Sequence, residues 1–247
     1  VVTGERVRAR VSLKDDAPHQ SGDESATPPF IFDESSATYY ASNSIAEVRV
    51  SLRDGELSVS GHVRQGRETG ALFPKYLLRL AASVAVVEAD ALLVHGCAMV
   101  SPEGKALLFL GASGDGKTTM TRRLPGWRSL GDDTVLLECS PQDEGKVMVR
   151  GTPFAGSEKL PRSGDLYPLS HVIVLNPHAE SLSLEGLSAS DGYMSLMRRV
   201  FCPFTDGPIP ARMSRLAAQA SARTSSYRFH SNLHHEPAAL LNALVQS

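Results

Sequence analysis

Ala106-Leu107-Leu108-Phe109-Leu110-Gly111-Ala112-Ser113-Gly114-Asp115-Gly116-Lys117-Thr118-Thr119 is the stretch on which the reading of this chain turns. Its first five residues are an unbroken apolar run, which predicts a buried strand. The next eight, Gly111 to Thr118, fit the phosphate-binding pattern G-x-x-x-x-G-K-[ST], and Thr119 to Leu124 is free of Gly and Pro and can start a helix. Strand, glycine loop and helix start together make an anion cradle. Glycines let backbone N–H groups turn inward, the helix start adds partial positive charge, and a lysine reaches the terminal phosphates. On this reading Gly111, Ser113, Gly114, Asp115, Gly116, Lys117, Thr118 and Thr119 bind a nucleotide, ATP, and the Thr118 hydroxyl serves Mg2+.

Outward from the loop, short apolar runs at Ala91 to Val94 and Ala98 to Val100 precede it, and Ser101-Pro102-Glu103-Gly104 has turn residues in type I positions. His95 is thereby expected on the strand beside the one that feeds the loop. If those strands pair, its imidazole approaches the phosphates, where it could orient or protonate a carboxylate. A histidine filling the core is the competing reading. After the loop, Gly131-Asp132-Asp133 puts two carboxylates before the apolar run Val135-Leu136-Leu137. Phosphoryl transfer from ATP needs a metal-binding acid and a base, and no other acid pair lies as near in sequence.

Further strands are expected at Thr134 to Leu137 and Val172 to Leu175. A stripe of Tyr193, Met194, Met197 and Val200 predicts a helix with core methionines, and Pro237 to Val245 a last helix. Upstream, Leu77, Leu80, Val84 and Val87 recur at steps of three and four behind Pro74, which predicts an amphipathic helix. Val7, Ala9, Val11 and Leu13 alternate with polar residues, Phe30 to Phe32 reads as a strand, and the acidic, Pro-rich span from Lys14 to Pro29 between them reads as a mobile loop. Val48 to Leu52 and Leu57 to Val59 flank Asp54-Gly55, a hairpin signal. The expected organisation is a β-rich region over 1–70 and a nucleotide domain over 71–247.

The 247 residues carry a net charge of -2, which with no basic run argues against a nucleic-acid partner. Cys97, Cys139 and Cys202 are odd in number and lack C-x-x-C spacing, so neither a disulfide framework nor a zinc knuckle is indicated. The most apolar window, residues 76–100, is broken by Arg79, Glu88, Asp90 and His95, too many charges for a membrane span. No signal peptide is expected, although the absent initiator Met leaves a trimmed start open; the cytoplasm is the expected compartment. His230, His234 and His235 invite a metal reading, but Asn232 and Pro237 make a regular helix doubtful there and no acid or cysteine pattern supports it. Arg198, Arg199, Arg212 and Arg215 read as solvated, with the option that one reaches a γ-phosphate across a subunit interface; a homo-oligomer stays open.

Val94-His95-Gly96, the loop from Gly111 to Thr118 and Gly131-Asp132-Asp133, in this order and spacing, resemble the HPr kinase/phosphorylase family, which shares its core with phosphoenolpyruvate carboxykinase. The resemblance covers roughly residues 91–175. It implies an α/β fold with a P-loop mixed-sheet core; the N-terminal antiparallel β region of this chain looks shorter and more β-rich than the family's usual one. It implies His95 and Asp132 as the acid/base pair at the acceptor hydroxyl, Lys117 on the phosphates, and Thr118 and Asp133 as the Mg2+ ligands. Met148-Val149-Arg150-Gly151 keeps the family's Arg-Gly pair but has Met148 in place of its acid. The chain therefore looks closer to the HPr-kinase-related proteins of peptide-modification clusters than to HPr kinase itself. The implied activity is transfer of the γ-phosphate to a hydroxyl, a seryl group on a peptide or small protein being favoured. A small-molecule hydroxyl kinase, and a nucleotide-binding regulatory module without phosphotransfer, are the alternatives.

Overall fold

A computed structural model describes residues 8–15, 30–42, 46–53, 56–63, 72–112, 114–139, 145–154, 164–232 and 234–246. The chain is mixed α/β and divides into two compact units, Val1–Ala89 with Phe201–Met213, and Asp90–Val200 with Ser214–Ser247. The division falls after the helix that follows residue 70, and the first unit takes back a later segment. Sequence periodicity does not show this, because membership of a unit is set by which core a face buries.

In the first unit, β1 (Arg8–Asp15), β2 (Ile31–Asp33), β3 (Thr38–Ser42), β4 (Ala46–Arg53) and β5 (Glu56–Val63) form one sheet in the order β1-β5-β4-β3-β2. β4 and β5 pair antiparallel with Arg53 opposite Glu56, as the hairpin signal requires; Asp54 and Gly55 lie outside the described residues, as do Val7 and most of the acidic span, residues 16–29. The expected all-antiparallel region differs at β1, which runs parallel to β5, Val11 opposite Val59. Tight hairpins force antiparallel neighbours, whereas strands joined through a long connection are free of that constraint. Helix α1 (Leu72–Glu88) buries Leu77, Leu80, Val84 and Val87, the stripe read from the sequence. Phe30, Tyr39 and Phe204 stack with centroids 4.5 to 5.2 Å apart, and the Tyr39 hydroxyl accepts the Ile209 N–H at 3.0 Å.

The second unit holds a nine-stranded mixed sheet. Its strands are β6 (Ala91–His95), β7 (Cys97–Val100), β8 (Ala106–Leu110), β9 (Arg128–Gly131), β10 (Thr134–Glu138), β11 (Met148–Gly151), β12 (Tyr167–Asn176), β13 (Ser183–Gly186) and β14 (Ser225–His230). The path β6-β10-β11-β12-β8-β7-β9 is branched, for β12 also pairs β14, which pairs β13. β8, β12 and β14 are parallel neighbours. All five residues of β8 are buried, as expected for a strand covered on both faces. Leu107 and Phe109 join Ile173 and Phe229, and Met120 from α2 (Lys117–Arg123), Leu124 just past its end, and Leu241 and Val245 from the last helix (Ala238–Gln246) close over them. Each fully buried side chain of this kind contributes about 1.5–3 kcal/mol.

Helix α3 (Ala189–Met197) buries Gly192 and Leu196, while Met194 is 46% exposed. Of the expected stripe Val200 is buried, Tyr193 and Met197 are half-buried and Met194 is exposed, so the buried face is centred one position earlier, on Gly192 and Leu196. Gly192 explains the shift: a Cβ there would stand 2.7 Å from the Ser226 Oγ, so the helix lies with its smallest residue against β14. No described helix is long and apolar enough to cross a membrane.

Gly96 separates β6 from β7 and lets the chain change partners. β6 pairs with β10, and β7 with β8 and β9. A Cβ on Gly96 would lie 3.0 Å from both Leu108 Cδ1 and the Phe109 carbonyl oxygen. Gly96→Ala must therefore push β8 aside, at about 1–3 kcal/mol for overpacking. The melting temperature should fall by about 2–4 °C per kcal/mol for a chain of this size. An unchanged melting temperature in a thermal scan would show that β8 has slack these distances deny.

Candidate active site

The loop between β8 and α2 is built by two glycines in the left-handed region, Gly114 at φ 90° and Gly116 at φ 88°, which side chains rarely adopt. Gly111 is held for a different reason. A Cβ on it would meet Asp115 Cβ at 2.9 Å, because the Asp115 carboxylate folds back under the loop and accepts the Ala112 N–H. The Asp115 N–H donates to the Ala112 carbonyl at 3.3 Å, so this acid braces the loop. Ser113 lies outside the described residues. Thr118 and Thr119 are half-buried on the first turn of α2.

Lys117 is 8% exposed, and its ammonium donates to the Gly111 and Ala112 carbonyls at 3.0 and 2.8 Å. Burial, then the positive charge of Arg199, lowers its pKa; Asp115, Asp133 and Cys97 act in the opposite sense. The lysine thus lies within electrostatic reach of a second cation and of Asp133. The Cys97 thiol is pushed up to about 12, by burial first and by Asp132 next, with Lys117 opposing. One buried sulfur therefore senses both Asp132 and Lys117.

The His95 ring is not core filling. Its side chain is 39% exposed, and Nδ1 lies 3.4 Å from Asp133 Oδ1. The expectation paired this ring with Asp132; the structure pairs it with the second aspartate. The reason is register. β6 neighbours β10 and not the loop strand, with His95 opposite Thr134, and the Gly96 N–H donates to the Asp133 carbonyl at 3.1 Å. Asp132 is buried at 5% exposure, while the Asp133 carboxylate lies against the ring. The Thr134 hydroxyl donates to Asp133 Oδ2 at 3.1 Å, which fixes the carboxylate plane.

Arg199 is the residue that sequence reading passed over as solvated. It follows α3, is half-buried, and its carbonyl accepts the His95 N–H at 2.7 Å; Val94 and Val200 bridge beside it. Its charge reaches Lys117 within the same chain, so no subunit interface is needed to bring an arginine here. No local signal marks it, since only the pairing of residue 200 with β6 carries it there. Arg212 instead pairs with Glu88 at 2.9 Å in the first unit, and Arg150 pairs with Glu138 across β10 and β11. The three histidines do not converge: His230 sits on β14 against Glu185 at 3.1 Å, while His235 Nδ1 accepts the Asn232 N–H at 3.1 Å.

Among the described residues no three His, Cys, Asp or Glu side chains group closely enough to cage a metal. The donors present nevertheless suit Mg2+. A hydroxyl at Thr118 and two carboxylates are hard oxygen ligands, and Mg2+ is usually held by one or two carboxylates, substrate phosphates and water. No protein-family model matches this chain, and no curated protein matches it.

Proposed function

We propose that the chain is an ATP-dependent kinase of the HPr-kinase-like type, with a P-loop domain, that transfers the γ-phosphoryl group to a hydroxyl, a seryl side chain on a peptide or small protein being the favoured acceptor. The observation that carries this reading is the convergence, in one unit, of a lysine-bearing glycine loop with an accessible His–Asp pair: Cys97, two residues past His95, lies opposite Phe109 of the strand that feeds the loop, the Gly96 N–H donates to the Asp133 carbonyl, and the Asp133 carboxylate lies 3.4 Å from the His95 ring. A module that only binds nucleotide has no need of the second half.

Phosphoryl transfer is mostly positioning and charge neutralisation. Lys117 exchanges two loop carbonyls for phosphate oxygens, and the loop N–H groups hold the bridging phosphates. Arg199 adds a second positive charge, where the developing negative charge of the transferred group is to be offset. Thr118 and the buried Asp132 would hold Mg2+, which would supply charge neutralisation to the phosphates. The acceptor hydroxyl gives its proton to Asp133, which His95 orients. These roles exchange the two aspartates relative to the sequence-based assignment, because the buried carboxylate lies beside Cys97 and the other beside the imidazole.

The test is transfer itself. The protein is incubated with γ-labelled ATP, Mg2+, a library of seryl peptides and, separately, small hydroxyl compounds, and products are read by mass spectrometry. Label on a peptide is the expected result. Label on small hydroxyls alone would keep the kinase and change its acceptor, and bound ATP with no transfer to any of them would leave a nucleotide-regulated binding module.

A further inference from the structure

Against the glycine loop lies a cavity of about 130 Å3. Met120 and Leu175 give it an apolar floor, Pro177 one wall, and Arg123, Ser231 and Asn232 a polar rim; the glycine loop closes it on the other side. It sits past the carboxyl ends of the parallel strands β12 and β14, beside the loop that follows β8, the place where open α/β sheets bind ligands.

Its walls are tied to one another. The turn after β12 and the turn after β14 are joined by the Ala179 N–H to the Ser231 carbonyl at 3.0 Å and the Ser231 N–H to the Asn176 carbonyl at 3.2 Å. The Asn232 amide donates to the Ala179 carbonyl at 2.8 Å, and Arg123 from the end of α2 donates to the Asn232 carbonyl at 3.0 Å. Pro177 fixes its own φ within the first turn. A site braced this way is set before the ligand arrives, so less ordering is lost on binding.

We infer that this cavity is the nucleobase subsite of the nucleotide, a purine ring lying on Met120 and Leu175 against Pro177 with its polar edge toward the rim. The inference rests on the phosphate-binding reading of the loop. Two features favour a base over the acceptor. None of Lys117, His95 or Asp133 lines the cavity, so a group held here is kept from the transfer end. The cavity shares Gly114, Asp115 and Gly116 with the loop, so a phosphate chain can run from it across the loop to Lys117. Its size points the same way: it is well below the roughly 300–1,000 Å3 of pockets that enclose drug-sized ligands, and it suits one ring system with the sugar outside.

The test compares calorimetric affinities for Mg-ATP and Mg-tripolyphosphate, which share the phosphates and differ in the nucleoside. Wild type should bind ATP at least tenfold more tightly, and Ser231→Phe, which fills the cavity from its rim, should bring that ratio close to one. Equal wild-type affinities would overturn the subsite and leave the phosphate reading standing; so would an unchanged ratio in Ser231→Phe. Binding of neither ligand would overturn the phosphate reading and the subsite with it. Photolabelling of the wild-type protein with 8-azido-ATP needs no variant to fold. Adducts are expected on residues 175–178 or 231–232, and adducts confined to other segments would overturn the assignment.

Discussion

Lys117→Ala is expected to lower Mg-ATP affinity or turnover at least tenfold, about 1.4 kcal/mol, by removing a charge that the loop already holds at Gly111 and Ala112. The pH dependence gives the same experiment a second readout. Phosphate selects the ammonium form, and burial with Arg199 lowers the pKa of Lys117. Affinity should therefore be flat on the neutral side and fall as pH rises through that lowered value, before the ~10.4 of an ordinary lysine is reached. Nucleotide binding should take up a proton in that window. The alanine variant should lose this fall as well as the affinity. Titrations of both proteins across the alkaline range decide it, and equal affinity and turnover would remove the glycine loop from the site.

Asp133→Asn keeps the size of the side chain and removes its basicity, so phosphotransfer should drop roughly a hundredfold or more, the usual share of general-base catalysis, while Mg-ATP still binds. Asp132→Asn should instead weaken the Mg2+-dependent binding step. The opposite pattern would return the two aspartates to the roles that the resemblance implied. His95→Ala tests the pair from its other side: if the ring acts by orienting Asp133, combining the two substitutions should cost little more than Asp133→Asn alone. Melting temperature and turnover measured on one preparation separate this from a structural role. A His95 variant that is less stable but fully active would sink the dyad.

The sequence read locally was right where a local cause sets the outcome. The apolar run at 106–110 had to be buried, two glycines had to supply left-handed backbone before Lys117, and steps of three and four had to make α1 with Leu77, Leu80, Val84 and Val87 inward. The strands over 91–95, 97–100 and 134–138 appear where apolar runs predicted them. β3, β9, β11, β13 and β14 escaped, because Thr38–Ser42, Arg128–Gly131, Met148–Gly151, Ser183–Gly186 and Ser225–His230 each carry at most two large apolar or aromatic residues and owe their extension to ladder partners, not to their own pattern.

What the sequence determined by itself was the strand, glycine loop and lysine, together with the presence of one histidine and two adjacent acids to either side, because each depends on residue type and spacing along one segment. Which acid meets the histidine was decided only by the tertiary structure. The antiparallel register of β6 on β10 sets His95 opposite Thr134 and so beside Asp133, and register between distant segments leaves no mark on either alone. The same holds for Arg199, brought to the site by Val200 bridging Val94, and for the cavity beyond the loop, whose walls come from three segments that meet only because β8, β12 and β14 lie parallel and end together.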